Sequence, residues 1–218
     1  MARHAIAVPR PQSRGEEIAN SISHGIGLAL AIAALPVLVV HAVGALPAAG
    51  IVGAAVFGAS AVLLYLASTL YHALPQPRIK AVLRRVDHAA IYLMIAGTYT
   101  PFTLGVLRGG WGWTLFGLAW GAAGLGLVIK LVAGVRLELL STLLYLAMGW
   151  MVLIALGPLV EHIATPGLIW LIAGGAAYTL GIVFYLLDSR WRYAHFVWHL
   201  FVLAGTVCHF FAVFGYAG

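Results

Sequence analysis

The sequence predicts an all-α fold: an integral membrane bundle of seven transmembrane helices. Three observations carry this. First, 63% of the 218 residues are hydrophobic and only 8% are charged, against about 25% charged in a soluble domain, and the mean hydropathy is +1.01. Second, seven segments reach the ~20 mostly apolar residues that a span needs. Third, the basic residues collect on every second connection, as a topology signal does.

The elements follow in order. Residues 1–18 form a basic, proline-containing tail with no small-residue cleavage site, read as a cytoplasmic tail ahead of a membrane domain over 19–218 and not as a signal peptide. The seven spans fall near 19–41, 49–73, 87–107, 111–131, 139–160, 166–187 and 195–216. Turn and charge signals divide them: HAVGALPAAG, LPQPRIKAVLRR, LRGGWG, KLVAGVRLE, EHIATPG and DSRWR. Arg3, Arg10 and Arg14 precede the first span. Arg78, Lys80, Arg84 and Arg85 follow the second, Lys130 and Arg136 the fourth, Arg190 and Arg192 the sixth. Of the twelve basic residues, only Arg108 falls on the other side. The positive-inside rule then puts the N-terminus in the cytoplasm and the C-terminus outside. The same rule reads the net charge of +6 as facing anionic lipid, not nucleic acid.

Two pairs, Gly105 with Gly109 and Gly117 with Gly121, have the GxxxG spacing that lets membrane helices approach closely. They are expected to pack within the bundle, with a homo-oligomer interface as the other use. Cys208 is the single cysteine, so no intrachain disulfide forms, and it reads as a small packing residue.

Ionisable side chains inside a bilayer are costly and by default functional. The expected topology sorts them by depth. His72 ends the second span, Asp87 and His88 begin the third, and His195 and His199 begin the seventh, all at the cytoplasmic face. His24 and the Glu16–Glu17 pair begin the first span at that face too. His195 and His199, four apart, share one helix face and can offer two imidazoles to one ion. Ser68 lies on the face of His72, one turn deeper. Three histidines with an open fourth position describe a catalytic zinc site. Asp87 can then hold or deprotonate water there, and Ser68 can hydrogen-bond that water or a substrate oxygen. A lone interfacial histidine is ordinarily just a solvated or hydrogen-bonded group. What points to metal is the meeting of His72, His195, His199 and Asp87 at one depth. His209, about 15 Å of helix deeper than His199, reads as a buried hydrogen-bonding residue, and His4, His41 and His162 as tail or loop residues.

ANSISHGIG at 19–27, STLYH at 68–72, DHAAIYLMIAGTYTPF at 87–102 and HFVWHLFVLAGTVCHF at 195–210 resemble the bacterial hemolysin III family. That family is grouped with the progestin and adipoQ receptors and, more distantly, with the alkaline ceramidases. The resemblance covers almost the whole chain. It implies a seven-helix fold in the bacterial cytoplasmic membrane, with Zn2+ near the cytoplasmic face on His72, His195 and His199. It implies Asp87 beside a zinc-held water, Ser68 in the Ser-x3-His motif, and membrane lipid as substrate or ligand.

Three functions follow for comparison. One is a zinc-dependent hydrolase of a lipid amide or ester, with Asp87 as general base and Ser68 supporting the developing oxyanion. The second is a receptor-like or regulatory protein in which zinc is structural and Asp87 closes the site. The third is a pore-forming hemolysin, ranked last because no polar stripe lines a channel. A retinal protein is excluded, since Lys80 and Lys130 are the only lysines and neither lies in the last span. A G-protein-coupled receptor has the opposite orientation. HExxH and GxSxG motifs are absent, and Ser60, lacking a histidine partner at its depth, reads as a packing residue.

Overall fold

A computed structural model describes residues 10–134 and 137–218, so Arg3, His4 and Arg136 lie outside the described residues. No strand occurs among the described residues, and the helices form seven segments. They are α1 (Arg14–Ala45), α2 (Ala48–Ala73), α3 (Pro77–Leu104) and α4 (Gly110–Ala133). A fifth, broken segment follows, made of α5 (Glu138–Trp150), a 3-10 turn (Met151–Ala155) and α6 (Leu156–His162). The last two are α7 (Thr165–Leu187) and α8 (Ala194–Tyr216).

Six of the seven segments are long and apolar enough to cross a membrane. The exception is α3. It has the length, at 28 residues, but Asp87, His88, Thr98, Thr100 and Thr103 make it too polar. Those side chains are sheltered inside the bundle, where α3 packs between α2 and α4 and Asp87, Thr98 and Thr103 turn to an internal cavity. Lipid-facing helices show the reverse pattern: Ile18, Ile22, Ile26 and Leu30 of α1, spaced by four, are all exposed.

Two helices start earlier than expected. Helix α1 begins at Arg14 because Ser13 and Glu16 form a capping box. The Ser13 hydroxyl accepts from Glu16 N at 3.4 Å, and the Glu16 carboxylate accepts from Ser13 N at 2.9 Å. Helix α3 begins at Pro77, which needs no helical N–H partner at the first position. Arg78, Lys80, Arg84 and Arg85 therefore lie on a helix, not in a loop. Arginine and lysine favour helix almost as well as leucine does. Lys130 likewise belongs to the last turn of α4 and is buried.

The fifth segment breaks for a covalent reason. Pro158 has no N–H to offer the Ile154 carbonyl, and its ring crowds it. The preceding turn tightens to 3-10 geometry. Tyr99 of α3 meets the backbone there: its hydroxyl donates to Met148 O at 2.8 Å and accepts from Val152 N at 2.9 Å. Inside a membrane such backbone groups must find protein partners.

Small residues set the spacing of α2 and α3. A Cβ on Gly53 would stand 2.6 Å from Pro101 Cα, which is backbone and cannot swing away. Gly53→Ala is expected to cost about 1–3 kcal/mol through overpacking, read as a fall of several degrees in the melting temperature of the purified protein. Gly117 and Gly121 behave otherwise than expected. A Cβ on either would meet nothing within 4 Å, so among the described residues no other helix packs closely on this pair. Gly105 does sit in a close approach, against the Ala217 carbonyl.

The contacts run in a ring: α4 on α3, α3 on α2, α2 on α1, α1 on α8, α8 on α7. The broken fifth segment closes it, touching α3, α4 and α7 only sparsely. A cavity of about 290 Å³ lies inside the ring, lined mainly by α3, the fifth segment, α7 and α8.

Candidate metal centre

The site is built where α1, α2 and α8 meet. Glu17, Asn20 and His24 are spaced i, i+3, i+7, so they form one stripe on α1. That stripe faces inward, opposite the exposed isoleucines. His72 arrives from the last turn of α2, and His195 and His199 from the first two turns of α8.

One ring nitrogen from each of His72, His195 and His199 lies within 4.8 Å of the other two, and all three residues are buried. Each ring is held through Nδ1. His72 Nδ1 meets the Glu17 carboxylate at 2.7 Å. His195 Nδ1 meets Asp188 at 3.0 Å. His199 Nδ1 lies 3.2 Å from the Asn20 carbonyl and 3.1 Å from the Ser23 hydroxyl. The opposite nitrogen, Nε2, is buried on all three and has no hydrogen-bond partner among the described residues. Buried polar atoms are rarely left so. Three converging imidazole nitrogens, each with its other nitrogen tied to an acceptor, fit a divalent metal. The acceptors set the tautomer and aim the lone pair. The arrangement can therefore hold a metal ion.

Charge supports the outer ring. Lys80 Nζ lies 3.0 Å from Glu17 and also donates to Tyr71 O at 2.8 Å. Glu17→Gln is expected to weaken metal retention by about tenfold or more, measured by chelator competition.

Asp87 and Ser68 stand beside this group, not within it. The Ser68 hydroxyl is 2.7 Å from His24 Nδ1 and close to the Asp87 carboxyl. His24 in turn stacks on His199, with ring centroids 3.5 Å apart. Asp87 and His24 also line the cavity, so the cavity reaches the neighbours of the triad. His209 is buried far along α8, and its Nδ1 has no hydrogen-bond partner among the described residues.

A model of haemolysin-III-related proteins matches residues 12–210. The chain belongs to the haemolysin III family. This chain is 45% identical to Hemolysin-3 of Bacillus cereus over 201 residues, 92% of this chain and 91% of that protein. It is also 45% identical to the Hemolysin-3 homolog of Bacillus subtilis, over 92% of this chain and 94% of the other. The human monocyte to macrophage differentiation factor is 28% identical over 74% of this chain and 68% of its own length. These matches, with the six apolar helices, make the chain a multi-pass bacterial membrane protein. The match to the human protein fits the wider progestin and adipoQ receptor superfamily.

The chain carries four further residues at the site whose roles the sequence reading missed: Glu17, Asn20, Ser23 and Asp188. The inward polar stripe of α1, inside an apolar run, was the available signal for the first two. The role of Glu16, placed at that face with Glu17, was missed as well. It is buried and accepts from Arg10 at 2.6 and 2.9 Å, from the Ser13 hydroxyl at 2.8 Å, and from Tyr193 N at 2.8 Å. The hydrogen bond to Glu16 raises the Arg10 guanidinium above its ordinary value. Tyr193 precedes α8 and has φ of 61°, a left-handed conformation costly for a large side chain. Glu16 thus ties the start of α1 to the residue that launches His195 and His199. Ser-x-x-Glu was legible as a capping box, but the link to Tyr193 spans 177 positions. Glu16→Ala is expected to cost about 1–3 kcal/mol for the unpaired donors and to loosen metal retention; thermal melts with and without chelator read both.

Proposed function

We propose that the chain is a zinc-dependent hydrolase of a membrane-lipid amide or ester. The observation that supports this most is the set of three unpartnered Nε2 atoms, close to an apolar cavity that reaches their neighbours His24 and Asp87. His72, His195 and His199 would hold the ion. An N3 donor set with room for a further ligand suits Zn2+. Zinc, when bound, supplies Lewis acidity toward a carbonyl oxygen and toward water.

The chain's own residues would do the rest. Asp87, buried at the cavity wall, takes a proton from water. Ser68, which already bonds His24, turns its hydroxyl toward the oxygen on which charge develops. The cavity, near the lower bound of about 300 Å³ for small-molecule sites, takes the acyl chain. Its access runs through the sparse contacts between the fifth segment and α7. In this reading α3 crosses the membrane as the seventh span, sheltered by α2 and α4, and the site lies at the cytoplasmic face.

The test uses purified, zinc-loaded protein and a panel of amide and ester lipids, with released fatty acid quantified by mass spectrometry. Release that needs both zinc and Asp87 supports the proposal. A fully loaded protein that hydrolyses none of the panel sinks it. Metal-independent leakage of liposomes would instead favour the cytolytic role that the Bacillus relatives' names describe.

A further inference from the structure

The charges at the metal-centre end of the bundle do not balance. Every acidic side chain there is already engaged. Glu16 holds Arg10, Glu17 holds His72 and Lys80, Glu138 holds Arg84, Asp188 holds His195, and Asp87 bonds Ser68. The remaining acid, Glu161, belongs to α6 at the opposite end. Arg78 and Arg85 of α3 are exposed, and neither has a hydrogen bond or an ion pair among the described residues.

Both arginines stand near headgroup level. Helix α3 has 28 residues, about 42 Å of rise, against a hydrocarbon core of about 30 Å. With α3 read as the seventh span and Leu104 at the far surface, about 12 Å of helix lies beyond the core, and the core begins near Arg85. The two arginines are seven apart and share one side of the helix. Ile79, Val82 and Val86 are exposed on the adjoining face. Cations along one edge of an apolar stripe are what a helix presents to the boundary between headgroups and acyl chains.

Arg85 has a seat between two helices that pack together, α3 and α4. A Cβ on Gly134, the C-cap of α4, would lie 3.4 Å from Arg85 Nε and 3.8 Å from Nη2, so the guanidinium rests along that cap. Just before it, Leu131 and Val132 are 77% and 84% exposed, more than any other large apolar side chain among the described residues. A guanidinium beside uncovered apolar side chains offers a phosphate and an acyl chain their separate contacts.

We propose that the α3–α4 seam at this end seats an anionic phospholipid, with the phosphate on Arg85 and an acyl chain along Val86, Leu131 and Val132. Guanidinium suits phosphate because its planar fork bonds two oxygens at once. Arg78, about 10 Å further along α3, adds to the field that draws the headgroup in. The seat is on the outer surface of the bundle and does not depend on the hydrolase reading.

The experiment is native mass spectrometry of the purified chain with equimolar phosphatidylglycerol and phosphatidylcholine of identical acyl chains. It is run on the natural chain, Arg85→Gln, Arg85→Lys, Arg78→Gln and Arg108→Gln, each first checked by its melting temperature. The natural chain is expected to retain phosphatidylglycerol over phosphatidylcholine by about fivefold to twentyfold. Arg85→Gln lowers that ratio by about fivefold, and Arg78→Gln by less. Arg85→Lys, which keeps the charge and loses the fork, falls between Arg85→Gln and the natural chain. Arg108→Gln, far beyond the screening length, changes the ratio by less than about twofold. Equal retention of the two lipids by the natural chain overturns the proposal, and so does a preference that survives Arg85→Gln. Loss of the preference on adding free glycerol phosphate would assign Arg85 to a soluble phosphate and overturn the lipid seat. Each of these results leaves the hydrolase reading standing, since fatty-acid release tests that separately.

Discussion

His199→Ala is expected to remove the bound metal almost completely, from about one ion per chain to under about a tenth, measured by elemental mass spectrometry on chelator-free protein. The geometry explains the size of the effect. Three imidazoles within 4.8 Å of one another supply the donor set, and no Asp or Glu of the described residues joins that group. Losing one leaves two neutral nitrogens in a site whose third corner is a methyl group. His199 is also the most enclosed of the three, fully buried between α1 and α8. His24→Ala is the informative partner. Its ring stacks directly on His199, but its Nδ1 is committed to Ser68 and it stands outside the triad. Metal content in His24→Ala should stay within about twofold of the natural chain, while packing loss lowers its stability by about 2–5 kcal/mol. Equal metal loss in the two variants would mean that the triad is not the ligand set. A natural chain without metal would remove the basis of the proposed chemistry.

The depth of each histidine was readable because membrane spans convert sequence position into height. His72 at the end of one span and His195 at the start of another had to lie near one level, and the fold brings them together. The rotation of each helix was not readable in the same way. Nothing in a hydropathy pattern says that Asp87 faces Ser68 and the cavity while the triad gathers on the other side of His24. The helix ends failed for a different reason. Arg14 to Ile18, and Pro77 to Val86, are polar enough to read as loop, yet Ser13 and Pro77 are strong local start signals that hydropathy windows ignore. Gly117 and Gly121 show the converse error. Their spacing permits close packing but does not supply a partner, and among the described residues nothing lies within 4 Å of a Cβ built on either. The clamp from Glu16 to Tyr193 joins residues at opposite ends of the chain, so no local pattern announces it.

Asp87→Asn should separate chemistry from metal binding. The substitution keeps the shape and removes the charge and the proton-accepting oxygen. If Asp87 is the base, kcat on a cleaved lipid falls by about 10²–10⁴, with KM nearly unchanged and zinc content retained, because the carboxyl lies outside the triad. Ser68→Ala should fall less in kcat, by about 10- to 100-fold, since it removes one donor to the developing charge and leaves the base in place. The opposite pattern has a distinct meaning. Were Asp87→Asn to lose zinc as completely as His199→Ala, the carboxylate would be a fourth ligand, the site would be closed, and a structural role in a receptor-like protein would replace catalysis. Chelation then discriminates again. A closed structural site ties α2, α3 and α8 together, so stripping it should lower the melting temperature steeply and alike in any lipid. An open catalytic site ties only α2 to α8, and α1 already braces both, through Glu17 to His72 and through Glu16 to Tyr193. Stripping it should abolish hydrolysis while the bundle stays folded.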